Sequence, residues 1–331
     1  SADISPDILI IEMNRLASSP NMIAIPLFTF AGVLMSSGGA PQRLVTFYRA
    51  ILGWMPGGLA IVAIGSCAFF TAYSGASGVT ILALGGLLYP ILRGEGYKEK
   101  FSLGLLTSSG SLGLLFPPSL AILIYGIVAG VSLGDMFFAG LVPGTLLMIM
   151  LALYSMFQGN KNNVVKHEFE LSTLLTSIKG CAWDLFLPIG VVTGIFGGFV
   201  SIMEAAAATA AYVIIVEVAI YKEIDLRTQF VGLLVETCIL FGSLLAILLV
   251  ALGLTNLMID AQLPMKLLAA IENHISSPLE FLLLLNLFLL LVGAMMDIFS
   301  AIIVVVPLLL PLATRYGIDP IHLGIIFLAN L

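Results

Sequence analysis

Apolar runs of membrane-crossing length alternate with short polar stops along most of the chain. A helix covers the hydrocarbon core with about 20 apolar residues. The segments near 22–37, 137–157, 181–200, 203–221 and 231–254 therefore predict single crossings. Residues 5–18 (SPDILIIEMNRLAS) and 40–52 (APQRLVTFYRAIL) mix charge with an apolar face, which predicts helices lying along the interface, and residues 262–276 repeat the pattern in the second half.

Three regions break this rhythm. Region 55–92 is an apolar stretch, a small polar stop (Ala72-Tyr73-Ser74-Gly75-Ala76-Ser77-Gly78) and a second apolar stretch ending at Pro90; region 279–312 has the same form, with Gly293-Ala294-Met295-Met296-Asp297 at its stop. Each half is roughly 12–18 residues, marginal for crossing a bilayer but suited to a re-entrant hairpin. Region 101–130 is long enough to cross but is interrupted at Thr107-Ser108-Ser109-Gly110-Ser111 and again at Pro117-Pro118. Adjacent prolines remove backbone donors and force an unwound segment.

The two hairpins align at an offset of 221 residues, which lays Leu87-Leu88-Tyr89-Pro90 over Leu308-Leu309-Leu310-Pro311 and Gly96 over Gly317. If the loop carrying Arg93, Lys98 and Lys100 is cytoplasmic, counting crossings puts ten of the 13 basic residues on that side; only Arg15, Lys266 and Arg315 fall opposite. The hairpins then open from opposite faces. Inverted repeats with paired broken helices are the pattern of secondary transporters, whose sites lie near the bilayer midplane.

Composition agrees. Of 331 residues, 60% are hydrophobic and 10% charged, against about 25% charged in a soluble domain. This excludes a water-soluble enzyme and predicts an all-α polytopic membrane protein. The net charge of -6 disfavours nucleic acid. Cys67, Cys181 and Cys238 read as small buried hydrophobes, and the three histidines (His167, His274, His322) form no metal-binding pair. The chain lacks an initiator Met, shows no cleavable signal peptide and stops inside GIIFLANL, so it reads as a piece of a longer polypeptide.

The stops carry the candidate chemistry. Glycines at Ser74–Gly78 let backbone groups turn toward a cavity, while serines offer neutral oxygens of the kind that hold Na⁺. Thr107–Ser111 would face that tip and add oxygens. Packing of small residues between helices is the alternative for both. Asp297 is an ionisable side chain at the second tip, and it also stands where a cap for the helix beginning at Ile298 is needed. Glu204 opens an Ala-rich helix and complements its dipole. Asp184 and Glu217 are expected at interfacial positions or against another membrane chain. Gly75-Ala76-Ser77-Gly78 also matches the pattern of an intramembrane serine protease, but no histidine falls mid-span to act as its base.

IPLFTFAGVLMSSGG, FFTAYSGASGVTILALGG, GSLGLLFPPSLAILIYGIVAGVSLGDMFFAGLVPG and GIDPIHLGIIFLANL resemble the large membrane subunit of TRAP transporters (tripartite ATP-independent periplasmic transporters) across almost the whole chain. The resemblance implies an elevator-type secondary transporter of the bacterial inner membrane. Such a protein is driven by Na⁺, works with a small membrane subunit and a periplasmic substrate-binding protein, and carries organic acids such as C4-dicarboxylates. A symporter of the same architecture that needs no binding protein is the alternative. By motif, a first Na⁺ site uses Ser74, Gly75, Ser77, Thr107, Ser109 and Gly110, and Asp297 contributes to a second. The anion lies between the tips, near Ser77, Ser111, Pro117, Pro118 and Asp297.

Residues 1–54 and 131–278 become mostly scaffold, and residues 55–130 and 279–331 the transport domain. The second broken helix would follow Leu331, leaving the second ion site incomplete. No catalytic residue, no metal other than Na⁺ and no cofactor is expected. The chain departs from the family at Ser201-Ile202-Met203-Glu204, where a Thr-Pro-Thr-Glu-like run is usual.

Overall fold

The computed structural model describes residues 20–55, 57–75, 77–161, 170–225, 227–260, 275 and 277–331. Every regular element among them is helical. The expected interfacial helix at 5–18, nearly all of 262–276 and the loop residues 162–169 lie outside the described residues.

Helix α1 (Pro20–Ser37) meets the arm helix α2 (Ala40–Leu52) at a 72° bend over Gly38–Gly39. Helices α3 (Gly58–Ser74) and α4 (Ser77–Gly94) form the first hairpin, and α5 (Glu99–Leu112) follows it. A 3-10 turn over Gly113–Leu115 leads to the proline break and α6 (Leu120–Ala129), a bend of 50°. Then come α7 (Leu133–Lys161), α8 (Leu171–Phe196), α9 (Ile202–Ile214), continued by a π-helical turn over Ile215–Ile220, and α10 (Phe230–Asp260). The second hairpin is α11 (Pro278–Met295) and α12 (Ile298–Arg315), followed by α13 (Pro320–Asn330). Six of these stretches are long and apolar enough to cross a membrane: α7, α8, α9 with its π turn, Phe230–Val250 of α10, α11 and α12.

The halves of the molecule repeat one contact order. In the first, α3, α4 and α5 pack on one another; in the second, α11, α12 and α13 do. The halves join where α6 lies against α12 and α13. There the Tyr125 hydroxyl donates to the Pro320 carbonyl at 2.6 Å, and the Tyr125 ring lies over Gly324, where an added Cβ would come within 2.4 Å of it.

Local chemistry corrects several expectations. Helix α5 runs unbroken through Thr107–Ser111, because its hydroxyls bond back onto their own helix: Thr107 donates to the Leu103 and Gly104 carbonyls and Ser109 to the Leu105 carbonyl at 2.5 Å. Only the Pro117–Pro118 interruption is a real break; that peptide bond is cis, and Ser119 caps the helix that follows. Pro90 and Pro311 do not end their helices, which continue to Gly94 and Arg315. The second hairpin's halves, 18 residues each, are long and apolar enough to cross; in the first hairpin α3 has 17 residues and α4 18. A capping box between Ser277 and Glu280 sets the start of α11. Cys67 and Cys181 are buried, but Cys238 is exposed on α10.

Asp184 and Glu217, expected at the interface or against another membrane chain, are both buried within this chain, on Arg43. The Arg43 guanidinium donates to both oxygens of Asp184 (2.7 and 3.1 Å), to Glu217 Oε1 at 2.8 Å and to Glu223 Oε2 at 2.5 Å. It stacks 3.6 Å above the Tyr221 ring. Arg43 is thus the tie between the arm helix, α8 and the end of α9, and only a planar fork of donors can serve all three carboxylates.

Candidate functional site

The first hairpin turns at Gly75, which closes α3 with φ +69° and donates its N–H to the Thr71 carbonyl at 2.8 Å. A left-handed residue is needed there, and glycine supplies it without Cβ strain. A Cβ on Gly75 would lie 2.5 Å from Leu120 Cβ, so the tip sits directly against the start of α6. Below the tip, hydroxyls from both arms link up. Thr71 Oγ1 donates to Thr80 Oγ1 at 2.8 Å, and Ser74 Oγ stands 3.2 Å from the same oxygen. Thr71 and Thr80 are fully buried. Sequence reasoning missed both; the signal available was a threonine flanking each side of the stop.

Ser77 opens α4 and is half-buried. Its carbonyl lies 3.5 Å from where a Cβ on Gly110 would stand, and Ile81 Cγ1 lies 2.5 Å from that point, so Gly110 is what lets α5 close on the hairpin. Ser109 is buried with its hydroxyl committed to α5, Ser111 is half-buried, and Thr107 is exposed. At the second tip Asp297 caps α12, accepting the N–H groups of Phe299 (3.0 Å) and Ser300 (3.1 Å) and the Ser300 hydroxyl (2.5 Å). The capping reading of Asp297 is therefore observed. A capping box between Ser201 and Glu204 likewise starts α9, so the departure at 201–204 preserves the helix start.

One cavity of about 270 Å³ brings the two tips together. Ser74 reaches it from the first hairpin and Asp297 from the second; Thr29 of α1, Leu120 of α6 and Ser243 of α10 complete its polar and apolar walls. Its lining carries three hydroxyls and one carboxylate and no cationic side chain. Such a set offers neutral and anionic oxygens, which is donor chemistry for a hard cation rather than for a bare anion. Pro117 belongs elsewhere, to an apolar cavity of about 400 Å³ with Phe116, Tyr73, Tyr48 and Met148.

Two hairpins from a repeated architecture, whose tips share a cavity with a few oxygens on a mostly apolar wall among membrane-length helices, point to a multi-pass membrane protein of the solute-transporter class. Residues 2–331 match the family described as "Tripartite ATP-independent periplasmic transporter, DctM component", and the chain belongs to that family.

The chain is 33% identical over 312 residues to an isethionate TRAP transporter permease protein of Oleidesulfovibrio alaskensis, covering 94% of this chain and 49% of that protein. It is 32% identical over 338 residues to the C4-dicarboxylate TRAP transporter large permease protein of Vibrio cholerae (96% of this chain, 75% of the relative). It is 33% identical over 325 residues to the large permease of the same name from Rhodobacter capsulatus (94% and 74%). It thus spans about half of the first relative and about three quarters of the other two. These are transport permeases, not enzymes, which replaces the protease reading of Ser77.

Proposed function

We propose that the chain is the large permease subunit of a Na⁺-driven organic-acid uptake system of the bacterial inner membrane. It works beside a small membrane subunit and receives its substrate from a periplasmic binding protein. The observation that carries this reading is the shared cavity between Ser74 and Asp297. A position shared by both hairpin tips is where the paired broken helices of a secondary transporter hold solute and coupling ions. The names of the relatives, a C4-dicarboxylate permease among them, support a carboxylate as the solute.

In this reading Na⁺ is held at the first tip by oxygens of Ser74, Gly75 and Ser77, with Thr107, Ser109 and Gly110 of α5 behind them. A second Na⁺ lies by Asp297. The carboxylate sits between the tips, near Ser77, Ser111 and Asp297, while Pro117 faces the separate apolar cavity. With no cationic side chain on the cavity wall, the bound cations offset the substrate's charge. The hairpins and α5–α6 move together as an elevator against the scaffold of α1, α2 and α7–α10.

The test is uptake of a labelled C4-dicarboxylate by vesicles holding the complete permease and its small subunit. Uptake is expected only with the binding protein outside and a Na⁺ gradient directed inward. Uptake without the binding protein would identify a binding-protein-independent symporter instead. Uptake indifferent to Na⁺ would remove the ion assignment.

A further inference from the structure

At the corner between α1 and α2 one guanidinium faces three carboxylates. Asp184 and Glu217 are 98% and 99% buried. Asp184 has both oxygens on Arg43, but Glu217 has only Oε1 there; its Oε2 is buried without any hydrogen-bond partner. That oxygen is aimed into the corner, since a Cβ on Gly38 would fall on it, and a Cβ on Gly39 would stand 2.6 Å from Glu223 Oε1. Gly38-Gly39 is the sequence mark of this arrangement: any side chain there would occupy the carboxylates' space.

Glu217 and Glu223 meet on one guanidinium, at Arg43 Nη2 and Nη1, and their other oxygens stand against the adjacent Gly38 and Gly39. A carboxyl group has one donor to offer another carboxylate, its own acid proton. We propose that Glu217 and Glu223 hold a proton between them, making this corner a proton-binding site that ties the arm helix to α8 and α9. The proton supplies Glu217 Oε2 with its missing partner and relieves part of the excess negative charge, which Arg43 alone cannot neutralise in a buried setting.

Among the described residues, Arg43 is the cation paired with the three acids. From α2 the pair faces Arg43 and, across it, Asp184 of α8; the Cys181 thiol of α8 and Tyr212 of α9 lie on the Asp184 side. From the following turn come Tyr221, whose ring lies under the guanidinium, and Lys222, which is exposed and makes no ion pair with the three acids. Among the described residues no group of three or more acidic, histidine or cysteine side chains is arranged to hold a metal ion. The π-helical turn that carries Glu217 is where the backbone adapts: the N–H of Glu223 bonds the Glu217 carbonyl at 2.9 Å, folding one acid back on the other.

Infrared spectra of the complete permease in lipid vesicles, at neutral and alkaline pH, test this together with thermal unfolding. The wild type is expected to show the carbonyl stretch of a protonated carboxylic acid at neutral pH and to lose it on alkalinisation, its unfolding temperature falling over the same range. Glu217→Gln, whose amide replaces the acid proton with an N–H donor, is expected to lack both the band and the alkaline loss of stability. Identical acid-carbonyl spectra, or an identical alkaline loss, in the two proteins would overturn the proposal. So would a wild type without the band whose unfolding temperature rises with added Na⁺ or Ca²⁺, since a metal cation would then hold the place of the proton. Should Glu217→Gln not fold, Glu223→Gln replaces the charged acceptor with a neutral amide and is expected to move the midpoint at which the band is lost; an unmoved midpoint overturns the proposal equally.

Discussion

Thr71 and Thr80 join hydroxyls at 2.8 Å across the first hairpin, with no solvent reaching either side chain. Ser74, which faces the cavity, completes the chain at 3.2 Å from Thr80. The hairpin tip is therefore braced from below by a buried polar link rather than by apolar packing alone. Thr80→Val removes the shared oxygen and leaves the Thr71 donor buried without its partner. A loss of about 1–3 kcal/mol is expected for such a group. Thr80→Ser keeps the oxygen and should recover most of it. Thermal unfolding of the detergent-solubilised permease compares the two; equal losses would mean that the methyl, not the hydroxyl, matters.

Two glycines of the first broken helix separate close approach from mere helix interior. A Cβ on Gly113 would meet the Ala68 carbonyl oxygen at 2.3 Å, Thr71 Cβ at 2.5 Å and the Ala72 nitrogen at 2.8 Å, and the two backbone atoms cannot swing aside. Gly113→Ala is expected to force α5 off the hairpin, with a sharp drop in folded protein recovered from membranes. Gly104, on α5, has nothing within 4 Å of its Cβ position. Gly104→Ala is expected to stabilise by about 0.5–1 kcal/mol, from helix propensity alone. Size-exclusion recovery after heating tells the two apart, and tolerance of Gly113→Ala would contradict the contact.

Much of this architecture is legible in residue pattern because lipid imposes it: a span is long and apolar, and a polar stop between apolar halves has few other uses. The two hairpins, the Pro117–Pro118 break and the cap at Asp297 all follow from such local signals. Thr107–Ser111 misled because serine and threonine can satisfy their hydroxyls on the preceding helical turn, so a polar run need not unwind. The Arg43 cluster was out of reach for another reason. Arg43, Asp184 and the Glu217–Glu223 turn are far apart in the chain, and no periodicity marks which acid will meet which base. Gly38-Gly39 was a visible hint of crowding, but not of what crowds it.

Acid should loosen the arm helix. Glu223 loses some solvation by partial burial, which alone would raise its pKa; hydrogen bonds from Arg43 and the Gly39 amide, with the Arg43 charge, outweigh that and hold it below the usual glutamate range. A depressed carboxylate stabilises the fold above its ordinary pKa, and that stabilisation is lost as pH falls through the lowered value. The unfolding temperature of the wild type is expected to decline on the acid side, below the ordinary glutamate range. Glu223→Gln should start lower at neutral pH and show a shallower acid decline. An acid limb of unchanged steepness in that variant would assign the dependence to other carboxylates.

Asp297 has two roles that substitution can divide. As the cap of α12 it accepts two backbone N–H groups and the Ser300 hydroxyl; as a wall of the cavity it presents a negative charge opposite Ser74. Asparagine caps helices about as well as aspartate, while alanine forfeits about 0.5–2 kcal/mol. Asp297→Asn is therefore expected to keep the wild-type unfolding temperature yet raise the Na⁺ concentration needed for half-maximal uptake, by about tenfold if the lost charge is worth about 1.4 kcal/mol to the bound ion. Asp297→Ala is expected to lose both. Uptake and unfolding measured on the same preparations distinguish the roles: if Asp297→Asn transports with unaltered Na⁺ dependence, the aspartate serves the helix alone.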